Sequence, residues 1–245
     1  MLCLMSCGKP LASRARVAQH PIQDRIEERR MSSTPSIDFT TRGPSEKTWE
    51  RAEVEAAFQR FWYEGCVKED WNAWLDSFTP DVDYVDHFWG PLKGREEVSI
   101  WIEAVMKGVP EIYTVLDWYT IDNDVVVFHC QNRRDNPNYG KPGETGPAYW
   151  DFPGLSVLRY GGDGRFCSEE DYWDRSGARK TAIDYAAACE RAGAHTKESR
   201  MLRGYWPASP AWARIDEAPS PSWSGRTDVP SITKPAELRA LLGRG

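Results

Sequence analysis

The sequence predicts an α+β fold, a cone-shaped curved antiparallel sheet with three N-terminal helices enclosing an apolar cavity. Two observations carry this. Apolar residues between 49 and 107 recur mostly at helical spacing, whereas from Ile112 to Asp174 they recur in four strand-like runs. Those runs are parted by strong turn formers, Asp122-Asn123-Asp124 and Gly161-Gly162-Asp163-Gly164, and by one long polar loop over 135–148. The chain also carries 12 Trp residues, and aromatics of that size either fill cores or line ligand cavities.

Each element has its own signal. Thr48 is a fair N-cap with Glu50 and Glu53 behind it, and Val54, Ala57, Phe58, Phe61, Trp62 and Cys66 share one face, so 49–66 is a helix. Trp71, Trp74, Leu75 and Phe78 make a shorter helix that Pro80 ends. A strand over 81–90 follows, then a helix over 94–107 carrying Val98, Trp101, Ile102, Val105 and Met106 and closed by Gly108 and Pro110. Strands are expected at 112–121, 125–134, 150–160 and 165–174, with an Ala-rich helix at 177–192. The loop 135–148, rich in Asn, Pro and Gly, is expected to form a rim or lid of the cavity.

The flanks differ in kind. Residues 1–46 mix Ser, Thr, Pro and Arg without periodicity and read as a disordered leader, with Met31 an alternative start. The domain spans 47–193. Residues 194–245 form a Pro- and Trp-rich tail whose Trp206, Trp212 and Trp223 dock either on the domain or on a partner. A net charge of −6 and a pI near 5.4, with no basic cluster in the central region, argue against nucleic acid as a partner. No apolar run approaches a membrane span, and Met1–Cys7 is too short for a signal core. Six cysteines stand at neither zinc nor redox spacing, as expected of free thiols in a cytoplasmic protein.

Strand alternation places Tyr84, Asp86 and Phe88 on one face. A carboxylate between two aromatics sits in an apolar setting that raises its pKa and suits it to move protons. The competing reading is an edge strand with Asp86 facing water. Asp171 and Trp173 share a face of the last strand, and Glu169 on that face is an alternative working acid. His129 is the best nearby imidazole, its face left open between the cavity and a core role, and His87 points away from Asp86. Trp118 and Trp150, on strands, are cavity candidates. A metal site from His87, His129 and Asp86 would need opposite faces of one strand, so none is expected. Cys130 reads as a buried small hydrophobe.

The order of elements, together with Phe78-Thr79-Pro80-Asp81, Tyr84-Val85-Asp86, Gly94-Arg95-Glu96, Gly164-Arg165-Phe166 and Asp171-Tyr172-Trp173-Asp174, resembles the nuclear-transport-factor-two-like superfamily, and within it SnoaL-type domains, over roughly 50–192. That group includes polyketide cyclases, ketosteroid isomerases and limonene-type epoxide hydrolases. The resemblance implies that Asp86 stands where ketosteroid isomerases carry their proton-shuttling carboxylate, with Trp62 and Ser156 at their oxyanion-hole positions. It implies equally that Asp171 matches the catalytic Asp of the epoxide hydrolases, with Tyr84 and Asp86 at their water-orienting positions. Their Arg-x-Asp pair falls on Cys130 and Asn132, whereas Arg133-Arg134-Asp135 offers such a pair displaced to the other face. SnoaL-type cyclases use an Asp aided by a His, with no metal and no cofactor.

The resemblance thus implies a cofactor-independent acid/base enzyme acting on a hydrophobic small molecule, of cyclase, isomerase, dehydratase or hydrolase type. Its catalytic set is Asp86, Asp171, Tyr84 and His129, and its substrate contacts are Trp62, Phe88, Trp118, Asn132, Trp150, Ser156 and Trp173. The rival reading is a non-catalytic small-molecule-binding or dimerisation module of the same fold. Convergence of Asp86 and Asp171 in one pocket discriminates between them. A homodimer is expected through the outer sheet face that bears Tyr172, Glu170 and Asp174.

Overall fold

A computed structural model describes residues 45–193, 209–216 and 219–244. The leader expected over 1–46 lies almost wholly outside the described residues, as does Trp206.

Helix α1 (Arg51–Trp62) continues into a π-helical turn, Tyr63–Val67. It starts later than Thr48 suggested, with Glu50 at the N-cap. Trp49 explains the delay. Its ring packs edge-on against Tyr160 at 4.9 Å and its backbone N–H donates to Asn123 Oδ1 at 2.9 Å, which draws the chain off the helical path. Helix α2 (Trp71–Leu75) is capped by Asp70, whose side chain accepts from Ala73 N. Pro80 does not end that helix. It lies inside strand β1 (Phe78–Asp86), in the irregular stretch between Phe78 and Asp83 where a missing N–H costs no ladder bond. A tight turn at Gly90, with φ of 103°, leads to the short β2 (Gly90–Lys93) and then α3 (Gly94–Gly108).

Four further strands follow, β3 (Tyr113–Asp122), β4 (Val125–Asp135), β5 (Tyr149–Gly162) and β6 (Arg165–Trp173), and then α4 (Arg175–Ala192). They form one six-stranded sheet in the order β2-β1-β6-β5-β4-β3, curved and unclosed. All neighbours are antiparallel except β1 and β6, which run parallel, so the sheet is antiparallel at every joint but one. Helix α1 packs into its concave face. Phe61 meets Phe78 of β1 at 5.8 Å, Phe128 of β4 at 6.0 Å and Phe166 of β6 at 5.8 Å.

The loop after β4 is structural, contrary to the lid expectation. Asn136 and Asn138 are buried, Asn136 donating to Pro147 O at 2.9 Å and Asn138 to Ala188 O of α4 at 2.8 Å. No residue of 135–148 lines the central cavity. Buried amides with satisfied donors clamp the loop to α4 instead.

The described parts of the tail pack on the same unit. Around 209–216, Trp62 Nε1 donates to Ala213 O at 3.1 Å, Ser209 donates to Leu116 O, and Ile215 clusters with Tyr113 and Val115. This segment covers β3, an edge strand whose open hydrogen-bonding groups would otherwise recruit other chains. Residues 219–244, ending in helix α5 (Pro235–Leu241), form a strap along α3. Ile232 N donates to Ala104 O at 3.1 Å. Glu103 receives Ser222 at 3.0 Å and Arg226 at 2.8 Å, and Lys107 donates to the carbonyls of Arg226 and Val229.

Gly108 makes this close approach feasible, because a Cβ there would stand 2.4 Å from Ile232 O. Helix propensity alone favours Ala over Gly by about 1 kcal/mol. The steric term is the larger, since backbone must move. Gly108→Ala is therefore expected to lower stability by about 1–3 kcal/mol, read as a drop in melting temperature. A melting temperature at or above wild type would mean the strap is not held there. No helix among the described residues is long and apolar enough to cross a membrane.

Candidate active site

The concave face of the sheet encloses a cavity of about 320 Å³, within the range of small-molecule sites. Alternation selects its floor. Tyr84 and Asp86 come from β1; Glu169, Asp171 and Trp173 from β6; Gly154 and Ser156 from β5; Cys130, Asn132 and Arg134 from β4; and Thr114 from β3. The walls are rings, chiefly Phe61, Trp71, Trp74 and Trp101 from the helices and Phe88 from the β1–β2 turn, and Ile232 and Thr233 of the strap complete them. Register brings the acids together. Asp171 stands opposite Asp86 on one side and Ser156 on the other.

The structure gathers Asp86, Asp171, Tyr84, Phe88, Asn132, Ser156 and Trp173 in this one cavity, and leaves four expected residues out. His129 lies on the opposite face, because Phe128 and Cys130 on either side of it point inward. Its Nδ1 pairs with Asp117 Oδ2 at 2.9 Å and its ring stacks on Trp118. Trp118 is 48% exposed. A β-bulge between Leu116 and Trp118 inserts Asp117 and reverses the face that simple alternation predicts. Trp62 is buried, and its indole N–H is taken by Ala213 O. Trp150 shares the parity of Phe152, two residues before it on β5, but only Phe152 lines the cavity. The displaced Arg-x-Asp pair also falls outside. Arg133 binds Asp151 at 2.7 Å and Asp135 accepts from Tyr113 at 2.7 Å, neither residue lining the cavity.

The two aspartates are held differently. Asp86 Oδ1 accepts the backbone N–H groups of Phe88 and Trp89 at 2.7 and 2.8 Å, and Oδ2 accepts Trp173 Nε1 at 3.0 Å. Burial still raises its pKa, against the pull of those three donors. Asp171 accepts from the Tyr84 hydroxyl on one oxygen and from the Ser156 hydroxyl on the other, and Glu169 hydrogen-bonds to it as well. Burial, then the Asp86 charge, pushes the Asp171 pKa up to about 6.

Glu169 is held well above the usual carboxylate range, first by burial and then by the charge of Asp171. Two carboxyls in contact cannot both ionise at low dielectric, so near neutrality Glu169 keeps the proton and Asp171 carries the charge. Tyr84 stays protonated for the same causes, and burial keeps the Cys130 thiol protonated, which removes it as a nucleophile. Thr114, Gly154 and Arg134 were not among the expected site residues, and Glu169 was expected only as an alternative to Asp171. Among the described residues no three His, Cys, Asp or Glu side chains converge so as to hold a metal ion.

The family model described as SnoaL-like domain matches residues 38–169. The chain belongs to the SnoaL-like domain family. Several solved structures are similar to a little more than half of it. A protein of Jannaschia sp. CCS1, assigned as a SnoaL-like polyketide cyclase, is 19% identical over 56% of this chain and 96% of its own, with a TM-score of 0.44. A protein of Catenulispora acidiphila with a ketosteroid-isomerase-like fold, solved with trimethylamine, is 20% identical over 54% and 92%, with a TM-score of 0.42. An epoxide hydrolase of the limonene type from M. tuberculosis is 17% identical over 58% and 97%, with a TM-score of 0.44. No functionally curated protein matches the sequence significantly.

Proposed function

We propose that this SnoaL-like domain, residues 47–193 with the tail as its cover, is a cofactor-independent acid/base enzyme that moves a proton at carbon in a hydrophobic, carbonyl-bearing small molecule. One observation carries the reading. Asp171 is a carboxylate poised near pKa 6 inside an aromatic cavity, oriented by Tyr84 and Ser156 and backed by a protonated Glu169. Asp171 takes the proton from a carbon beside the carbonyl, and the electron pair passes to the carbonyl oxygen as an enolate. Protonation weakens Asp171 as an acceptor, so the Tyr84 hydroxyl turns to the enolate oxygen. Return of the proton to another carbon gives isomerisation, and attack of the enolate on a second carbonyl gives aldol-type cyclisation.

Convergence of Asp86 and Asp171 in one cavity favours this over a purely binding role. Placement of Arg133 and Asp135 outside the cavity favours it over epoxide opening. Solvent deuterium uptake at C1 of 2-tetralone, followed by proton NMR, tests it. The protein is expected to accelerate uptake over buffer of equal pH. Saturating binding of the ketone without acceleration would leave only the binding role.

The same proposal includes a homodimer through the outer sheet face, where Trp118 is 48% and Tyr172 43% exposed and which the strap on α3 leaves uncovered. Sedimentation is expected to give twice the chain mass, and Trp118→Lys with Tyr172→Lys to give the monomer. A wild-type monomer would end this part of the proposal. A reducing, cytoplasmic setting belongs to it too, supported by free thiols at Cys66, Cys130, Cys167 and Cys189.

A further inference from the structure

We propose that the end of the cavity remote from Asp171 is an oxygen-anchoring subsite made by Thr114, Asn132 and Arg134, and that it selects flat aromatic or polycyclic ligands bearing a neutral carbonyl at their far end. The proposal deepens the proton-transfer reading and rests on it only in placing the reacting carbon at Asp171.

Thr114 and Asn132 stand directly opposite one another on β3 and β4, and both line the cavity. Among the described residues neither the Thr114 hydroxyl nor the Asn132 amide has a hydrogen-bond partner. Both are only partly buried, so a ligand that displaces water from them must replace its hydrogen bonds. Arg134, two residues further along β4, directs Nε to Glu111 at 2.9 Å and Nη1 to Thr181 at 2.9 Å, while Nη2 has no such partner. Its ion pair with Glu111 cancels its charge. The subsite thus offers donors without net charge, and the acids at the other end disfavour an anion. A neutral carbonyl oxygen fits both conditions.

The floor between the two ends is Gly154. Its backbone needs no glycine, having no positive φ, yet a Cβ there would meet Asn132 Nδ2 and Cys130 Sγ, each at 3.2 Å. The missing side chain leaves a flat passage from Ser156 at the acid end to Phe152, which stands opposite Asn132. Four residues of strand separate those positions, about 13 Å at ~3.3 Å each. That span requires an extended ligand, and the rings on the walls require a flat one.

The test compares 2-acetylnaphthalene with 2-isopropenylnaphthalene, in which C=CH2 replaces C=O, by quenching of tryptophan fluorescence. Wild type is expected to bind the ketone roughly tenfold more tightly. The Thr114→Val, Asn132→Leu double variant is expected to bring the two affinities within about twofold while leaving hydrocarbon binding unchanged, which also reports an intact cavity. Tyr84→Phe and Ser156→Ala should retain the ketone preference. The proposal is overturned if the preference survives the double variant, if it collapses in Tyr84→Phe instead, or if wild type shows no preference or no ketone binding. Preference that maps to Thr114 and Asn132 with no 2-tetralone exchange would uphold the anchor and remove the proton-transfer reading.

Discussion

Asp171→Asn is expected to cost about 10²–10⁴ in the rate of 2-tetralone exchange and, in the same protein, to raise the melting temperature above pH 6. The activity loss follows from removal of the base. The stability gain follows from linkage. The ordinary Asp pKa is 3.8, and burial beside Asp86 raises that of Asp171 to about 6 in the folded state. Between those values the folded chain holds a proton that the unfolded chain has released, so the unfolded state binds fewer protons and stability falls as pH rises. Below the window the cost is absent, and above it the full cost applies. Asn carries no charge to bury, and its amide still accepts from Tyr84 or Ser156. The wild-type rate should rise through about pH 6 and then level off as Asp171 ionises.

Glu169→Gln separates the two buried acids. Glutamine keeps a neutral donor beside Asp171, so most of the rate should survive. Loss of exchange in Glu169→Gln with retention in Asp171→Asn would reverse the two roles. A melting temperature that falls in Asp171→Asn at pH 8 would mean the carboxylate stabilises the fold, which contradicts an acid kept for chemistry.

Much of this site is legible in strand alternation. Tyr84 with Asp86, and Glu169 with Asp171 and Trp173, follow from the period of two, whereas Ser156 came from the family resemblance, and they fall within reach of one another once the family's order of elements is recognised. Alternation fails where the strand is irregular. Trp118 was expected inside and lies outside because Asp117 is an extra residue on β3, and nothing local in the sequence marks that bulge. His129 fails for a simpler reason. Taking Asn132 as a cavity residue already assigns odd-numbered neighbours on β4 to the other face, and by the same parity would have nominated Arg134. The parallel pairing of β1 with β6 is a long-range choice that no short window encodes. The strap has no periodicity to read, since its buried residues Trp223, Val229, Ile232 and Leu238 are anchored one by one through α3 and the body rather than along a regular face.

That mode of anchoring sets the second large expectation. A chain ending at residue 218 should melt well below wild type and show an opened cavity. The loss exposes the pockets of four side chains that are 1–6% exposed in the intact protein. Full burial of such groups contributes about 1.5–3 kcal/mol each, partly offset by the entropy of ordering the strap. Glu103 loses both Ser222 and Arg226, but the strap that covers it leaves with them, so its carboxylate returns to water and the lost pair costs little. Leu238→Ala isolates the packing part, with an expected cost of about 2–5 kcal/mol, near 2–4 °C of melting temperature per kcal/mol for a domain of this size. Opening is read separately. Ile232 and Thr233 form part of the cavity wall, so removing them should let iodide quench Trp101 and Trp71 fluorescence that the intact chain shields. Equal melting temperatures and equal quenching for the two chains would mean that the strap adds nothing to the cavity, and that its aromatic and aliphatic residues serve a partner instead.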